Sequence, residues 1–586
     1  MKIWQEQNSL ESIDHGPALK SWPRSLKKYL QNKGFHQDDS VLEFLKEDLQ
    51  SLKSPLLLKG MREACLRIER AFLNKEKICV YADFDLDGTS GCALLKKGFE
   101  DLGFENVLHF QPKRLKDGYG FHAPVVEDLA SLGVSLIITC DVGITAVKAC
   151  AKAKELGLDV IITDHHLPAG ELPDALLIVN PNQPSDESGL GYLSGAGVGF
   201  YLMRALKRHF TDQNLGNHQN LNLKELLDCF TIATLTDMVP LIGDNRVLVQ
   251  VGMRALSQTK RPGLAALMAA LGLAGKKLTS GDVAIRFAPK LNALSRLEGE
   301  ILPLDLYLMT DYAKAESMIT QVLFQNQERV SLQAEALKEA LEIVSTQKDQ
   351  SCHVVVSENF HRGVIGLIAT SLAQSTQKPC FVGSLDLEEN KIVGSCRRPE
   401  DSESSLVEAL SSVSIYLLRF GGHAQAAGFE TDLKNINELT LGLQSFFNQQ
   451  VKKVSVSNYD SEISWHELNW DLVEKLDKLE PFGVGFEAPV FLMENVKIKS
   501  YKTLKGGHLK FELTKNSESE TFQALLFSPS PRQTQVVARR SDVDLLVQVQ
   551  TNEWKGNRTL QLLVEDVRET LFETASLENI NSEAHP

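Results

Sequence analysis

The sequence predicts an α/β protein with a doubly wound parallel-sheet domain, a long connecting helix, a smaller α/β domain and a C-terminal β-barrel. Three observations carry this. First, short apolar runs recur between residues 78 and 180, and between two of them, "LIITCD" and "VIITDHH", lies the helix-like "ITAVKACAKAKELGL". Parallel strands buried on both faces read as continuous apolar runs and need such crossover helices. Second, residues 311–345 contain neither Gly nor Pro, and Met318, Ile319, Val322, Val330, Ala334, Leu337 and Leu341 recur at helical spacing. Third, beyond about residue 455 come "NVKIKSY", "HLKFEL", "FQALLFS", "DLLVQVQ" and "TLQLLVED", short strands spaced as in a small barrel.

In chain order, residues 1–75 read as a helical N-terminal region, because "LKKYLQNKGF", "VLEFLKEDL" and "LLLKGMREACLRIERAFLNK" keep apolar residues on one helical face. Residues 76–250 form the doubly wound domain. Residues 251–345 are helical and end in the long helix. Residues 346–450 hold a second α/β unit, read from "HVVVSE", "GVIGLIATSLAQ", "PCFVG", "KIVGSCRR" and "GGHAQAAGF". Residues 455–572 form the barrel, and residues 573–586 read as a polar tail.

Composition sets the outer limits. The 586 residues are 43% hydrophobic, enough for several cores. A net charge of −14 argues against polyanion binding by bulk charge but leaves room for a local basic groove. Nine scattered cysteines include no CxxC pair, which excludes a disulfide framework or zinc knuckle and fits a reducing cytoplasm. The N-terminus lacks an apolar core of signal-peptide length, and no stretch is long enough to span a bilayer. The expectation is a soluble cytoplasmic protein.

Acids close several of the apolar runs. "VYADFDLDG" offers Asp83, Asp85 and Asp87, "ITCDVG" Asp141, "ITDHH" Asp164, His165 and His166, and "LTDMVPL" Asp237. Read as four strand ends of one parallel sheet, they converge on the edge where α/β proteins bind ligands. A single Asp after a strand is usually a helix cap or turn residue. "DFDLDG" alone resembles part of a calcium loop but lacks the acid at its twelfth position. Four such ends together are harder to dismiss. Gathered carboxylates repel one another, and divalent cations remove that cost. Oxygen ligands with one or two imidazoles suit Mn²⁺ or Mg²⁺ better than structural zinc.

These motifs resemble those of the DHH phosphoesterase superfamily. In addition "QPKRLKDGYG", "LSGAGVGF", "TLTDMVPLIGDNR", "PKLNALSR", "FHRGVIG", "GSCRR", "FGGHAQAAGF" and "LEPFGVGFEAPVF" follow the order of the bacterial RecJ exonucleases. The resemblance spans nearly the whole chain. It implies a DHH domain, a DHHA1 domain and an OB-like barrel. It also implies a single-stranded-DNA-specific 5′-to-3′ exonuclease that releases 5′-mononucleotides, works with two Mn²⁺ or Mg²⁺ ions and acts in DNA repair and recombination. Asp85 and Asp87 are each implied to hold a metal, Asp141 to bridge the two ions, and His165 and Asp237 to complete the site. Asp83 is implied as a ligand or as a group behind one. Asp164 is implied to orient a histidine, and His166 to contact the scissile phosphate or leaving oxygen. No serine or cysteine nucleophile is needed.

The same resemblance places a 5′-phosphate pocket at Arg114, Arg296, Ser395 and Arg397, whose donors can surround an anion, and sets His423 beside the phosphate path. An arginine alone is more often an ordinary surface residue. Lys497, Lys499, Lys502, Lys505 and Lys510, with Tyr501 and Phe511 among them, suit single-strand binding, in which cations follow phosphates and rings stack on bases. A solvated barrel face looks similar. Leu294, Ser295, Phe486 and Val142 depart from the family's usual residues, and none is an implied ligand. Single-stranded DNA is the implied substrate, with a single-strand-binding protein and a helicase as partners, no membrane and a monomeric state. Two other readings are weighed: a nano-RNA or cyclic-dinucleotide phosphodiesterase of the same superfamily, and a DNA-binding scaffold without chemistry. The long helix and barrel favour a polymer substrate, and the retained acids favour catalysis.

Overall fold

The computed structural model describes residues 3–7, 16–46, 48–297, 299, 301–347, 350–399, 402–450, 456–515, 520–554 and 557–570. The predicted polar tail lies outside them. The chain divides into two compact units. One comprises Lys46–Val451 and Glu480–Glu487, the other Met1–Leu45, Lys452–Leu479 and Ala488–Pro586.

The larger unit contains the predicted parallel sheet. Its strands lie in the order Val107–Phe110, Ile78–Ala82, Leu136–Cys140, Asp159–Thr163 and Leu177–Val179, and every neighbouring pair is parallel. Alternate side chains enter two different cores. Ile78, Val80, Leu136, Ile138 and Ile161 pack on one face, with helices Leu86–Leu102 and Gly195–Asp212. Cys79, Tyr81, Ile137, Val160 and Ile162 pack on the other, with helices Ala123–Ser131 and Val147–Glu155. Both faces of the three central strands, Ile78–Ala82, Leu136–Cys140 and Asp159–Thr163, are therefore buried, which is why these runs carry no polar alternation.

The expected long helix is Tyr312–Thr346, 35 residues, started by Asp311, whose carboxylate accepts from the Lys314 amide. It leads to a five-stranded mixed sheet ordered Arg419–Gly422, Ala426–Asp432, Lys391–Arg397, Cys380–Asp386 and His353–Ser357. Helix Ile365–Thr376 packs against it. The "GGHAQAAGF" segment is a tight antiparallel hairpin, where a Cβ on Gly422 (φ +137°) would come within 2.5 Å of Ala427 Cα.

In the smaller unit the strands Phe491–Thr503, Leu509–Thr514, Phe522–Leu526, Asn557–Glu569 and Asp542–Trp554 pair in that order, and the last closes onto the first. The result is a five-stranded barrel with Ile498, Phe511, Leu513, Ala524, Leu545, Val547 and Leu562 buried.

Three readings need correction. Asp237 does not close a strand; it follows helix Leu227–Thr236, nine of whose ten residues are buried, and a helix apolar on all sides has no periodicity to betray it. Phe511 cannot stack on a base, because it is 1% exposed inside the barrel. The N-terminal region is not wholly helical: Ile3–Glu6 is a strand in parallel register with Val456–Tyr459.

Candidate metal centre

Three of the proposed ligands, Asp85, Asp87 and Asp141, are placed by local backbone devices. Asp85 caps helix Leu86–Leu102, its Oδ1 accepting from the amides of Asp87 and Gly88 at 2.9 and 3.0 Å. Asp87, in the first turn of that helix, accepts from the amides of Gly195 and Ala196 at 2.6 and 2.9 Å. Those amides open helix Gly195–Asp212, so the "LSGAGVGF" segment serves to hold Asp87. A Cβ on Gly195 would lie 2.4 Å from Asp141 Cβ, so the backbone must be bare there. Asp141 follows strand Leu136–Cys140 in the left-handed region, φ 62°, a strained conformation for a non-glycine residue.

The acid and the two imidazoles of "DHH" divide their tasks. Asp164 Oδ2 accepts from the Ile144 amide at 2.9 Å. Its Oδ1 accepts from the His165 amide at 2.7 Å and from Nδ1–H of His166 at 2.8 Å. Asp164 therefore orients His166 and has little capacity left for a metal. Its carboxyl is pushed up by burial, but the bond and charge of His166, the Ile144 amide and the His165 charge together hold it below the usual carboxylate range. Burial pushes His166 down, and the Asp164 contact more than compensates, lifting it to about 9.

The other groups point at one another. His165 Nε2 lies 3.2 Å from Asp141 Oδ1, 3.5 Å from Asp237 Oδ2 and 3.8 Å from Asp87 Oδ2. Asp83 Oδ1, Asp141 Oδ1, His165 Nε2 and Asp237 Oδ2 are all buried without a hydrogen-bond partner among the described residues. Burial, reinforced by neighbouring acids, raises Asp83 to about 8 and Asp237 to about 9, and raises Asp141 well above its ordinary value. Asp87 is raised and His165 lowered, each by burial. Buried polar atoms are normally paired. A cluster of orphaned oxygens and one imidazole nitrogen matches what divalent cations satisfy. Three overlapping ligand groups form here: Asp83, Asp85 and Asp141; Asp87, His165 and Asp237; and Asp141, His165 and His166. Asp141 and His165 are each common to two of them.

The predicted anion ligands also gather. The Arg114 guanidinium lies over the Phe84 ring at 4.3 Å, and its Nε is buried without a partner among the described residues. Arg397 donates to Ser395 Oγ at 2.9 Å, and a Cβ on Gly366 would stand 3.3 Å from both side chains, at the N-terminus of helix Ile365–Thr376. Arg296 donates to the Gly363 carbonyl at 3.2 Å. Burial and then the charges of Arg114, Arg329 and Arg397 lower Arg296 to about 10. Arg329 was not singled out in the sequence. It lies on the long helix, donates to Asn326 and Gln333 at 3.0 Å, and leaves Nε buried and unpartnered. These four arginines make no ion pair among the described residues.

The remaining predicted groups are elsewhere. His423 is exposed at its hairpin turn, its amide donating to Ala426 O. In the barrel, Lys497, Lys499, Lys502 and Lys505 are exposed, and half-buried Lys510 stands directly across from Lys502. Of the departures, Leu294 and Val142 are buried, and Ser295 donates to Asn292 O at 3.2 Å. Phe486 stacks on Phe482 at 5.7 Å and lies beneath Arg246.

Comparison with known proteins follows this layout. Residues 77–234 match the model of the DHH family N-terminal domain, 349–449 the DHHA1 domain and 459–566 the RecJ OB domain. The single-stranded-DNA-specific exonuclease RecJ of Haemophilus influenzae is 30% identical, covering 89% of this chain and 92% of its own. The chain belongs to the RecJ family. The Bacillus subtilis RecJ is 31% identical over 92% of this chain and 67% of its own. The crystal structure of RecJ with Mn²⁺ from Thermus thermophilus superposes with a TM-score of 0.80 at 27% identity, covering 97% of this chain and 80% of that one. A Mg²⁺ complex of the same protein is also similar, with a TM-score of 0.73. In this RecJ-family chain, no helix among the described residues is long and apolar enough to cross a membrane.

Proposed function

We propose that this chain is a metal-dependent, single-stranded-DNA-specific exonuclease that removes 5′-mononucleotides from the 5′ end. One observation carries the polarity: Arg114 feels the charges of Asp83 and Asp85 on one side and bears on Arg296 on the other. The orphaned acids and the unpaired arginines thus adjoin. A terminal phosphate held by Arg114, Arg296, Ser395 and Arg397 brings the first phosphodiester to the acid cluster, while an internal phosphate would leave strand on both sides.

Asp83, Asp85, Asp87, Asp141, His165 and Asp237 are assigned as holders of two Mn²⁺ or Mg²⁺ ions. Such ions lower the pKa of an attacking water and stabilise both oxygens of phosphodiester hydrolysis. The protein's own groups do the rest. The Gly195 and Ala196 amides fix Asp87, and the Asp85 cap fixes its helix. His166, kept protonated by Asp164, presents a cation to the scissile phosphate or leaving oxygen. Lys502 and Lys510, like charges in direct cross-strand register, gain from a phosphate between them. His423 is assigned to the phosphate path. A single-strand-binding protein and a helicase as partners, action in DNA repair and recombination, a cytoplasmic location and a monomeric state complete this reading, on family grounds.

The test is Asp141→Ala. Turnover of a 5′-phosphorylated oligonucleotide with Mn²⁺ is expected to disappear while strand binding stays within a few-fold of wild type. Near-normal cleavage by this variant would overturn the ligand assignment.

A further inference from the structure

The barrel unit holds a cleft of about 490 Å³ that the lysine-bearing strands do not line. Its walls come from three segments: the Trp465–Glu467 turn running into helix Trp470–Leu479, the start of strand Phe522–Leu526, and the start of strand Asn557–Glu569. Trp465 is 5% exposed and stands edge-on to Phe522 at 4.8 Å, forming a rigid aromatic floor. Trp470 is 47% exposed, the reverse of what burial of an indole normally achieves. The Arg558 guanidinium lies over its ring, 5.6 Å from the centroid. Arg558 is itself half exposed and held from the other side by Asp477 only at 3.9 Å. It is a displaceable lid. Between the tryptophans and Arg558 the lining mixes hydrogen-bonding Asn469, Thr521 and Gln523 with His466 and the apolar Leu468 and Leu560, while Glu520 stands at the rim.

These features select a ligand by chemistry. A bare phosphate would meet Arg558 and the His466 imidazole but also the Glu520 carboxylate, and would leave the tryptophan faces unused. An aliphatic group would leave the amide side chains unused, and an acidic peptide would meet Glu520. A planar heterocycle with donors and acceptors on its edge uses every wall: its face on Trp470, its edge on Gln523 and Asn469. An adjoining phosphate can then take Arg558.

We propose that this cleft binds one unpaired nucleobase of the DNA strand, stacked on Trp470, with Arg558 swinging to the neighbouring phosphate. The inference rests on the single-stranded-DNA reading above. It adds an aromatic subsite apart from the lysine tract. Stacking of this kind tolerates any base, as a non-specific exonuclease requires.

The test uses the full chain in EDTA, with 5′-phosphorylated oligo-dT titrated by anisotropy and by tryptophan fluorescence. Wild type is expected to show quenching that Trp470→Ala largely removes. Trp470→Ala should also bind at least about five-fold more weakly, from the range measured for base–aromatic stacking. Trp470→Phe should keep most of the affinity, and Arg558→Gln should weaken binding with a smaller salt dependence. A second readout is photocrosslinking with 5-iodo-deoxyuridine strands, expected on the peptide bearing Trp470. Unchanged affinity of Trp470→Ala, or crosslinks confined to other segments, would overturn the cleft assignment. Failure of wild type to bind or digest single strands would instead overturn the reading on which it rests.

Discussion

Removal of metal should make this protein lose stability as pH rises, and Mn²⁺ should cancel that loss. Asp83 and Asp237 ionise near 3.8 when unfolded but near 8 and 9 when folded. An acid whose folded pKa is raised favours the native state fully below its unfolded pKa, and that contribution is lost as pH climbs toward the folded value. Over the two units from pH 5.5 to 7.5 each group costs roughly 2–3 kcal/mol. Mutual repulsion couples the two, so the pair together costs the metal-free protein about 3–5 kcal/mol across this window. His166, raised to about 9, acts in the same direction above pH 6.5. Bound cations replace the protons on Asp83 and Asp237. The assay is thermal melting at pH 5.5, 6.5 and 7.5, with EDTA and with saturating Mn²⁺. The Mn²⁺-induced rise in Tm should grow at each step, and titration calorimetry in buffers of different ionisation enthalpy should show protons released on binding. A Tm gain independent of pH, or binding without proton release, would refute the reasoning that these carboxyls are held protonated until metal arrives.

Other outcomes follow from the same geometry. Arg397→Ala and Arg329→Gln should each raise KM for 5′-phosphorylated ends at least ten-fold while changing 5′-hydroxyl ends little, checked by competing the two substrates; equal losses on both would argue against end sensing. Gly195→Ala places a methyl 2.4 Å from Asp141 Cβ, so Mn²⁺ affinity should fall sharply while the fold is retained, read by calorimetry and circular dichroism. Asp164→Asn loses the anionic acceptor of His166, and kcat should fall on the order of a hundred-fold with an acid-shifted pH limit, as the imidazolium is no longer stabilised; an unchanged pH profile would separate His166 from the chemistry.

What the sequence revealed, and what it hid, has physical causes. The parallel sheet was legible because Ile78–Ala82 and its neighbours are buried on both faces, leaving unbroken apolar runs. The acid motifs were legible because a carboxylate ending such a run is conspicuous. Asp237 lies 3.5 Å from His165 but does not end a strand as the sequence suggested, since helix Leu227–Thr236 is buried almost all round and looks like a strand. Arg329 gave no signal: on a 35-residue helix with long polar faces, one more arginine is unremarkable, and only the packing of that helix brings it to Arg296. The Ile3–Glu6 strand was hidden because its partner, Val456–Tyr459, is far along the chain. Phe511 was misread because Lys510 and Glu512 flank it, although strand alternation turns it inward.

The most direct measurement is digestion of a 3′-labelled, 5′-phosphorylated single strand by the purified protein with Mn²⁺, beside the same strand in a blunt duplex. The expected result is a ladder shortening from the 5′ end on the single strand alone, with mononucleotides released. An intact long strand with cleavage confined to dinucleotides, or binding without any cleavage, would contradict the account.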